Sequence, residues 1–228
     1  SIGSMMKALI SNGLCGDALS LYHSHRSLQN DVCHTLAVSA CKVMGDLESG
    51  QAIHRQIESE RHRMSLELQN ALISFYGHFG DISAAELLFG AIPHFAKDAV
   101  TINTMMSLYV DRGENEKALR IYDGFRNLNN ERSHFFAVRA ARNGKDFERG
   151  KAIHSKLGRN QDVHLNAALI AFYGDFGRVD AAENVFKAVH SYKRTEVVIN
   201  AMMSVFVEAE EPQKALALYH FLAVSDWM

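Results

Sequence analysis

Along this chain the apolar positions repeat one short pattern seven times: a small residue, an aliphatic residue three places on, and a ring four places on. The copies are Ala18-Leu21-Tyr22, Gly50-Ile53-His54, Ala85-Leu88-Phe89, Ala118-Ile121-Tyr122, Gly150-Ile153-His154, Ala182-Val185-Phe186 and Ala215-Leu218-Tyr219. They lie 32, 35, 33, 32, 32 and 33 residues apart. Positions three and four apart share a helix face, so each copy marks the buried side of one helix. A second apolar stretch precedes each copy, at 5–9, 36–41, 71–76, 104–109, 136–141, 168–173 and 201–206. Turn formers separate the two stretches: Asn12-Gly13, Gly45-Asp46, Gly80-Asp81, Arg112-Gly113, Asn143-Gly144 and Gly177-Arg178. Glycine just past a helix fits a left-handed C-cap, and Asp46 and Asp81 are placed to cap the helix that follows. In the last unit the turn runs into Pro212, and proline in a first helical turn loses no hydrogen bond.

The pattern therefore predicts helix, short turn, helix, short turn, seven times over. One such hairpin cannot bury its apolar face alone, and a period in this range is the signature of a helical solenoid. With the small residue as unit position 20, the units span 1–30, 31–65, 66–98, 99–130, 131–162, 163–195 and 196–228, a single array filling the chain. The first unit would begin two residues before Ser1, so a piece of a longer protein is expected. The rings follow their own order, Tyr, His, Phe, Tyr, His, Phe, Tyr. Three unit types thus alternate.

Composition changes this picture little. The chain has 228 residues, 47% hydrophobic and 22% charged, with only two prolines, which suits an all-helical protein. The three cysteines, Cys15, Cys33 and Cys41, are odd in number and form no CxxC pair; neither a disulfide framework nor a zinc ribbon is indicated, and reduced thiols are expected. No apolar run is long enough to span a membrane. The net charge of −2 gives no global attraction for a polyanion. No Walker loop, GxSxG, HExxH or GxGxxG stands in a supporting context, so neither an enzyme nor a cofactor is expected.

Three sets of residues carry a resemblance. Ser39-Ala40-Cys41 with Gly45-Asp46-Leu47-Glu48-Ser49-Gly50 and Ala52-Ile53-His54 is one, echoed by Gly150-Lys151-Ala152-Ile153-His154. Asn70-Ala71-Leu72-Ile73 with Tyr76-Gly77 and Ala85-Glu86-Leu87-Leu88-Phe89 is another; Asn103-Thr104-Met105-Met106 and Asn200-Ala201-Met202-Met203 are the third. These are similar to the long, short and standard repeats of the pentatricopeptide repeat family in its triplet form. Tetratricopeptide repeats are the nearest competitor, but their Trp and Leu-Gly of the first helix do not recur here. The resemblance implies an all-α, right-handed α-solenoid whose first helices line the concave face. It also implies single-stranded RNA as partner, in RNA processing, editing or stability within a mitochondrion or plastid. Some triplet-class proteins end in a zinc deaminase domain, and its HxE and CxxC ligands are not in this sequence.

In that family one base is read per unit by the fifth residue of the first helix and the last residue of the unit, with the second residue wedged between bases. The chemistry is sound: amides and carboxylates bond to exposed base edges, and a branched side chain stacks without choosing a base. The resemblance then makes Asn70 with Asp98 a uracil-preferring pair and Asn103 with Asn130 a pyrimidine-preferring pair. Thr35, paired with Ser65, and Asn200, paired with Met228, are further base-reading candidates. Val32, Val100 and Val197 are the wedges. Phe135 with Asp162, Ala167 with Thr195 and Gly3 with Asn30 depart from the pattern, and Asn166 stands one place early.

Each feature has a plainer counterpart. The fifth-place asparagines could be helix caps or solvated turn residues. His54 and His154 are expected to be hydrogen-bonded core residues rather than metal ligands. Arg139 and Arg142, three apart in a basic cluster, are the phosphate-binding candidates, or else part of a face paired with Asp146 and Glu148; Arg61-His62-Arg63 reads as a turn. A helical-repeat scaffold for a protein partner is the rival function, and the apolar last unit, with Leu216, Leu218, Phe221, Leu222 and Trp227, leaves end-to-end self-association open.

Overall fold

The computed structural model describes residues 1–60, 63–158, 161–190 and 193–225. Among them the chain forms fourteen α-helices and no strand. It divides into two compact units, Ser1–Leu108 and Tyr109–Met228.

The first unit holds α1 (Ile2–Ser11), α2 (Cys15–Ser24), α3 (Asp31–Met44), α4 (Leu47–Ser59), α5 (Leu66–Phe79) and α6 (Ile82–Ala91), and takes in most of α7 (Ala99–Asp111). The second holds α8 (Asn115–Gly124), α9 (Glu131–Asn143), α10 (Phe147–His154), α11 (Val163–Asp175), α12 (Val179–Ala188), α13 (Glu196–Glu208) and α14 (Pro212–Ser225). Odd-numbered helices lead each hairpin and even-numbered helices trail it. In the first unit α1, α3 and α5 pack in succession, each also against its own trailing helix; in the second, α9, α11 and α13 do the same. Each of these six leading helices thus packs on a neighbouring leading helix as well as on its own trailing helix, which a lone hairpin would lack.

The turns follow their residues. Gly45 and Gly80 close α3 and α5 at φ 72° and 88°, a conformation that costs a side-chain-bearing residue about 1–2 kcal/mol. Asp46 and Asp81 accept from the amides of Ser49 and Ala84, as their positions require. The fifth hairpin departs from expectation. Gly144 ends α9 with right-handed geometry, φ −77°, and the next residue, Lys145, takes the left-handed position at φ 55°.

In α4 and α10 the small residue makes room for the next leading helix. A Cβ on Gly50 would meet the Phe75 ring at 2.1 Å, and one on Gly150 the Phe172 ring at 2.2 Å. Both rings are fully buried, so these two units need glycine where the others carry alanine.

The rotation of rings is a rotation of junction chemistry. The Tyr22 hydroxyl lies 2.8 Å from His34 Nδ1, and the Tyr122 hydroxyl 2.9 Å from His134 Nδ1. In the next unit type the roles reverse: His54 Nδ1 is 2.7 Å from the Tyr76 hydroxyl, and His154 Nδ1 is 2.7 Å from that of Tyr173. In the third type the ring is Phe and the partner a cation. Lys97 stands 4.6 Å from the centre of Phe89, and Arg194 4.7 Å from that of Phe186. Each cation also donates to a backbone carbonyl, of Ile92 and Val189 respectively. His54 and His154 are the packed, hydrogen-bonded residues their positions implied. Burial holds His54, His134 and His154 below the ordinary imidazole value and pushes the Tyr22, Tyr76, Tyr122 and Tyr173 phenols up.

All three cysteines are buried and unbridged, and burial pushes the Cys41 thiol up to about 11, so it is a poor nucleophile. No helix among the described residues is long and apolar enough to cross a membrane. At the far end Leu216 and Tyr219 are exposed; the side chains of Phe221, Leu222 and Trp227 lie outside the described residues, as do Arg61, His62 and Met228.

Candidate functional site

The candidate residues gather at the first turns of the leading helices. The residue closing each of the first six units sits just before the next leading helix, and in five of the six its side chain meets that helix's unsatisfied amides. Asn30 Oδ1 accepts from Cys33 N at 3.0 Å. Ser65 Oγ accepts from Leu68 N at 3.3 Å, while its own amide donates to Asp31 Oδ2 at 2.6 Å. Asp162 Oδ1 accepts from Leu165 N at 2.7 Å. Thr195 makes no side-chain cap.

Asp98 and Asn130 are held more firmly. Asp98 Oδ1 accepts from both the amide and the hydroxyl of Thr101, each at 2.8 Å. Asn130 Oδ1 accepts from the Ser133 amide at 3.0 Å and its hydroxyl at 3.2 Å, and Ser133 Oγ accepts from the Asn130 amide at 3.3 Å. This is a reciprocal capping box. Thr101 and Ser133 are fully buried.

The fifth-place residues lie one turn inside the helices. Asn70, Asn103 and Asn200 are therefore not caps, which corrects that alternative; the caps are the residues that close the units. Asn70 is half-buried in α5, and its Oδ1 is shielded from water without a hydrogen-bond partner. Asn103, in α7, is buried, and Asn200, in α13, is exposed. Asn166, one place early in α11, is buried, and its Nδ2 donates to the carbonyls of Gln161 and Asp162 at 3.1 and 2.9 Å. It serves its own helix start.

Val32, Val100 and Val197, one residue into three leading helices, are 59%, 60% and 47% exposed. All three are exposed apolar residues at the same register of their helices. In the first unit Val32 and Thr35 line a groove of about 720 Å³ together with Gly3, Lys7, Asn30 and Ser65. The structure thus brings together second-, fifth- and last-place residues of the first two hairpins. Asn70 and Asp98 belong to the same compact unit; Asn103 and Asn130 fall in different ones.

The basic candidates are engaged. Arg142 makes a two-pronged pair with Asp175, Nε to Oδ2 at 2.6 Å and Nη2 to Oδ1 at 2.9 Å. Arg139 reaches Asp111 at 3.5 Å and lies 5.5 Å from the centre of the half-buried Phe135 ring. Arg149 pairs with Asp123. The acidic partners expected nearby in sequence are replaced by residues 26 to 33 positions away, because stacking brings neighbouring hairpins into register; Asp146 instead caps α10 through the Arg149 amide at 2.9 Å. Among the described residues no group of three or more His, Cys, Asp or Glu could hold a metal ion.

Two functional-looking residues were missed in the sequence, Thr101 and Ser133. Their signal was the three-residue spacing Asp98-x-x-Thr101 and Asn130-x-x-Ser133, a capping spacing with a hydroxyl in place of Glu or Gln.

The PPR repeat family model matches residues 100–129. Among curated proteins, a pentatricopeptide repeat-containing protein of Arabidopsis thaliana is 27% identical over 225 residues, covering 95% of this chain and 26% of the relative. Another from the same plant is 34% identical over 125 residues, 54% of this chain and 16% of the relative. The chain thus spans about a quarter of the length of the first of these relatives. Among solved structures, the pentatricopeptide repeat protein PPR10 from maize superposes with a TM-score of 0.67 at 14% identity, over 98% of this chain and 38% of that one. PPR10 in complex with an 18-nt psaJ RNA element gives 0.68 at 16% identity, over 99% and 40%. The fold is the α-solenoid of these structures. With its repeat period, its paired helices and these relatives, the chain carries a PPR repeat and is similar along its length to pentatricopeptide repeat proteins.

Proposed function

We propose that this chain binds single-stranded RNA with base selectivity, in the triplet manner, and serves RNA processing, editing or stability. The observation that carries the reading is Asn70. Its amide oxygen is enclosed and without a partner, at the fifth place of a unit that closes on the held carboxylate of Asp98. Leaving such a group unpaired costs about 1–3 kcal/mol, and an outward turn of this half-buried side chain would let a base edge supply the missing bond. The RNA-bound form of a protein with the same fold supports the choice of ligand.

In this reading Asn70, Asp98, Asn103, Asn130, Asn200 and Thr35 face base edges, and Val32, Val100 and Val197 stand between bases. Arg139 and Arg142 exchange their carboxylate partners for phosphates. The alternation of three junction types supports the triplet assignment.

A protein-binding scaffold is the second reading. It is favoured by the occupied guanidinium groups of Arg139, Arg142 and Arg149, which leave less charge for phosphate. Titration with short single-stranded RNAs of varied base composition separates the two. Binding that prefers one composition, with Asn70→Ala losing discrimination at a single base, supports RNA readout. Equal and weak binding of every strand refutes it.

A further inference from the structure

Six residues close a unit before a leading helix, and four of them cap through a single amide bond or none: Asn30, Ser65, Asp162 and Thr195. Only Asp98 and Asn130 also receive a hydroxyl, from Thr101 and Ser133. These two closing residues are also the ones that complete a base-reading pair in the proposed readout. The pairing motif and the hydroxyl are independent observations, and they coincide at two of the six positions.

The hydroxyl does what the amide alone cannot. One bond to Oδ1 fixes a distance but leaves the side chain free to turn about its own axis. A second donor on the same oxygen removes that freedom. For Asp98 it fixes which carboxylate oxygen is committed to the helix, so that Oδ2 is the one turned away from it. For Asn130 the Ser133 amide, which can only donate, sets the sense of the side chain, and the hydroxyl restrains its rotation about that bond. Oδ1 must accept from both Ser133 groups, and Nδ2 is the end turned away. A turned amide would exchange a donor for an acceptor and reverse the edge it matches. Neither hydroxyl reaches solvent, since Thr101 and Ser133 are fully buried. They act on a ligand only through the residue they hold.

We infer that Thr101 and Ser133 are positioning residues for base selectivity, each holding the orientation of the closing side chain three places before it. The inference rests on the RNA-binding reading and adds to it two residues that would never touch the base. A pyrimidine offers a suitable contrast, because uracil presents an N–H at ring position 3 and cytosine a lone pair there. The lock on Asp98 favours the first and the lock on Asn130 the second.

The test uses the whole chain and a randomised pool of short single-stranded RNA, from which the preferred sequence is selected and then varied one base at a time. Ser133→Ala and Thr101→Val remove the hydroxyls with little change of volume; Thr101→Ser restores one. Each loss should reduce discrimination between uracil and cytosine at one base by about two- to ten-fold, the worth of one hydrogen bond. Affinity for the remaining positions should stay within about two-fold, and Thr101→Ser should recover the lost discrimination. A merely structural cap would lower the melting temperature in both variants and leave base ratios unchanged, and that result overturns the inference. If the unaltered chain prefers one base and Asn70→Ala abolishes this while both hydroxyl variants retain their own preference, the positioning role falls and the RNA reading stands. If the unaltered chain binds no RNA in the pool, both fall.

Discussion

His154 and Tyr173 share a hydrogen bond of 2.7 Å between Nδ1 and the phenol oxygen, joining a trailing helix to the next leading one. A neutral imidazole can take that proton; a charged one cannot, and burial holds His154 below its ordinary value. His54 and His134 are held low in the same way, each opposed by one nearby carboxylate, Glu58 or Glu131. The folded state thus binds fewer protons than the unfolded chain wherever the pH lies between the depressed folded values and about 6.5. Stability contributed by these histidines is fully present above about pH 6.5 and is lost as the pH falls below it towards the folded values. Thermal melts from neutral to mildly acidic pH should show a falling midpoint. The double change His154→Phe with Tyr173→Phe should flatten that slope, and an unchanged slope would place the acid sensitivity elsewhere.

Gly150 tests the packing argument. Alanine is the better helix former by about 1 kcal/mol, yet its Cβ would sit 2.2 Å from the buried Phe172 ring. Overpacking costs about 1–3 kcal/mol, so Gly150→Ala should lower the urea midpoint. Gly16→Ala, with nothing within 4 Å of the new Cβ, should leave it unchanged or raise it. Equal effects from the two changes would show that the Phe172 ring has room to move.

Tyr122→Phe keeps the ring and removes the hydroxyl that meets His134 Nδ1. The half-buried imidazole then loses its partner, at about 1–2 kcal/mol. Replacing both residues by Phe should recover part of the loss, so a double-mutant cycle should give a coupling of about 0.5–1.5 kcal/mol. A coupling near zero would mean that the ring rotation is a matter of shape alone.

These junctions show what a single sequence makes legible. Ala18, Gly50 and their later counterparts could be read because residues three and four apart share a helix face whatever the tertiary structure. Asp46 and Asp81 could be read as caps because their amide partners are three residues away. His34 as partner of Tyr22, and Tyr173 as partner of His154, are 12 and 19 residues distant, and only the stacking of hairpins brings them together. At the candidate site, side-chain type suggested which positions face a ligand. The three-residue spacing of Asp98 to Thr101 and of Asn130 to Ser133 is legible as capping, but it does not show that each hydroxyl joins the amide on a single oxygen. Nor could side-chain type find Asp175, 33 residues from Arg142. The left-handed residue at Lys145 was hidden by the glycine beside it, which offered the more obvious site.

Arg142 gives the last prediction. Its bond to Asp175 is two-pronged, but both side chains are more than a third exposed, and such pairs contribute about 0–1 kcal/mol. Arg142→Ala should therefore move the melting temperature little. In the proposed function the same guanidinium meets a phosphate, so the change should weaken every RNA sequence alike and reduce the slope of log affinity against log salt by about 0.7. Asp175→Asn acts in the opposite direction. It removes the competing carboxylate without removing the cation, and it takes one negative charge from the vicinity, so affinity should rise for all sequences. Fluorescence anisotropy of a labelled RNA across a salt series measures both effects. If Asp175→Asn leaves affinity and slope where they were, the guanidinium serves the helix stack alone.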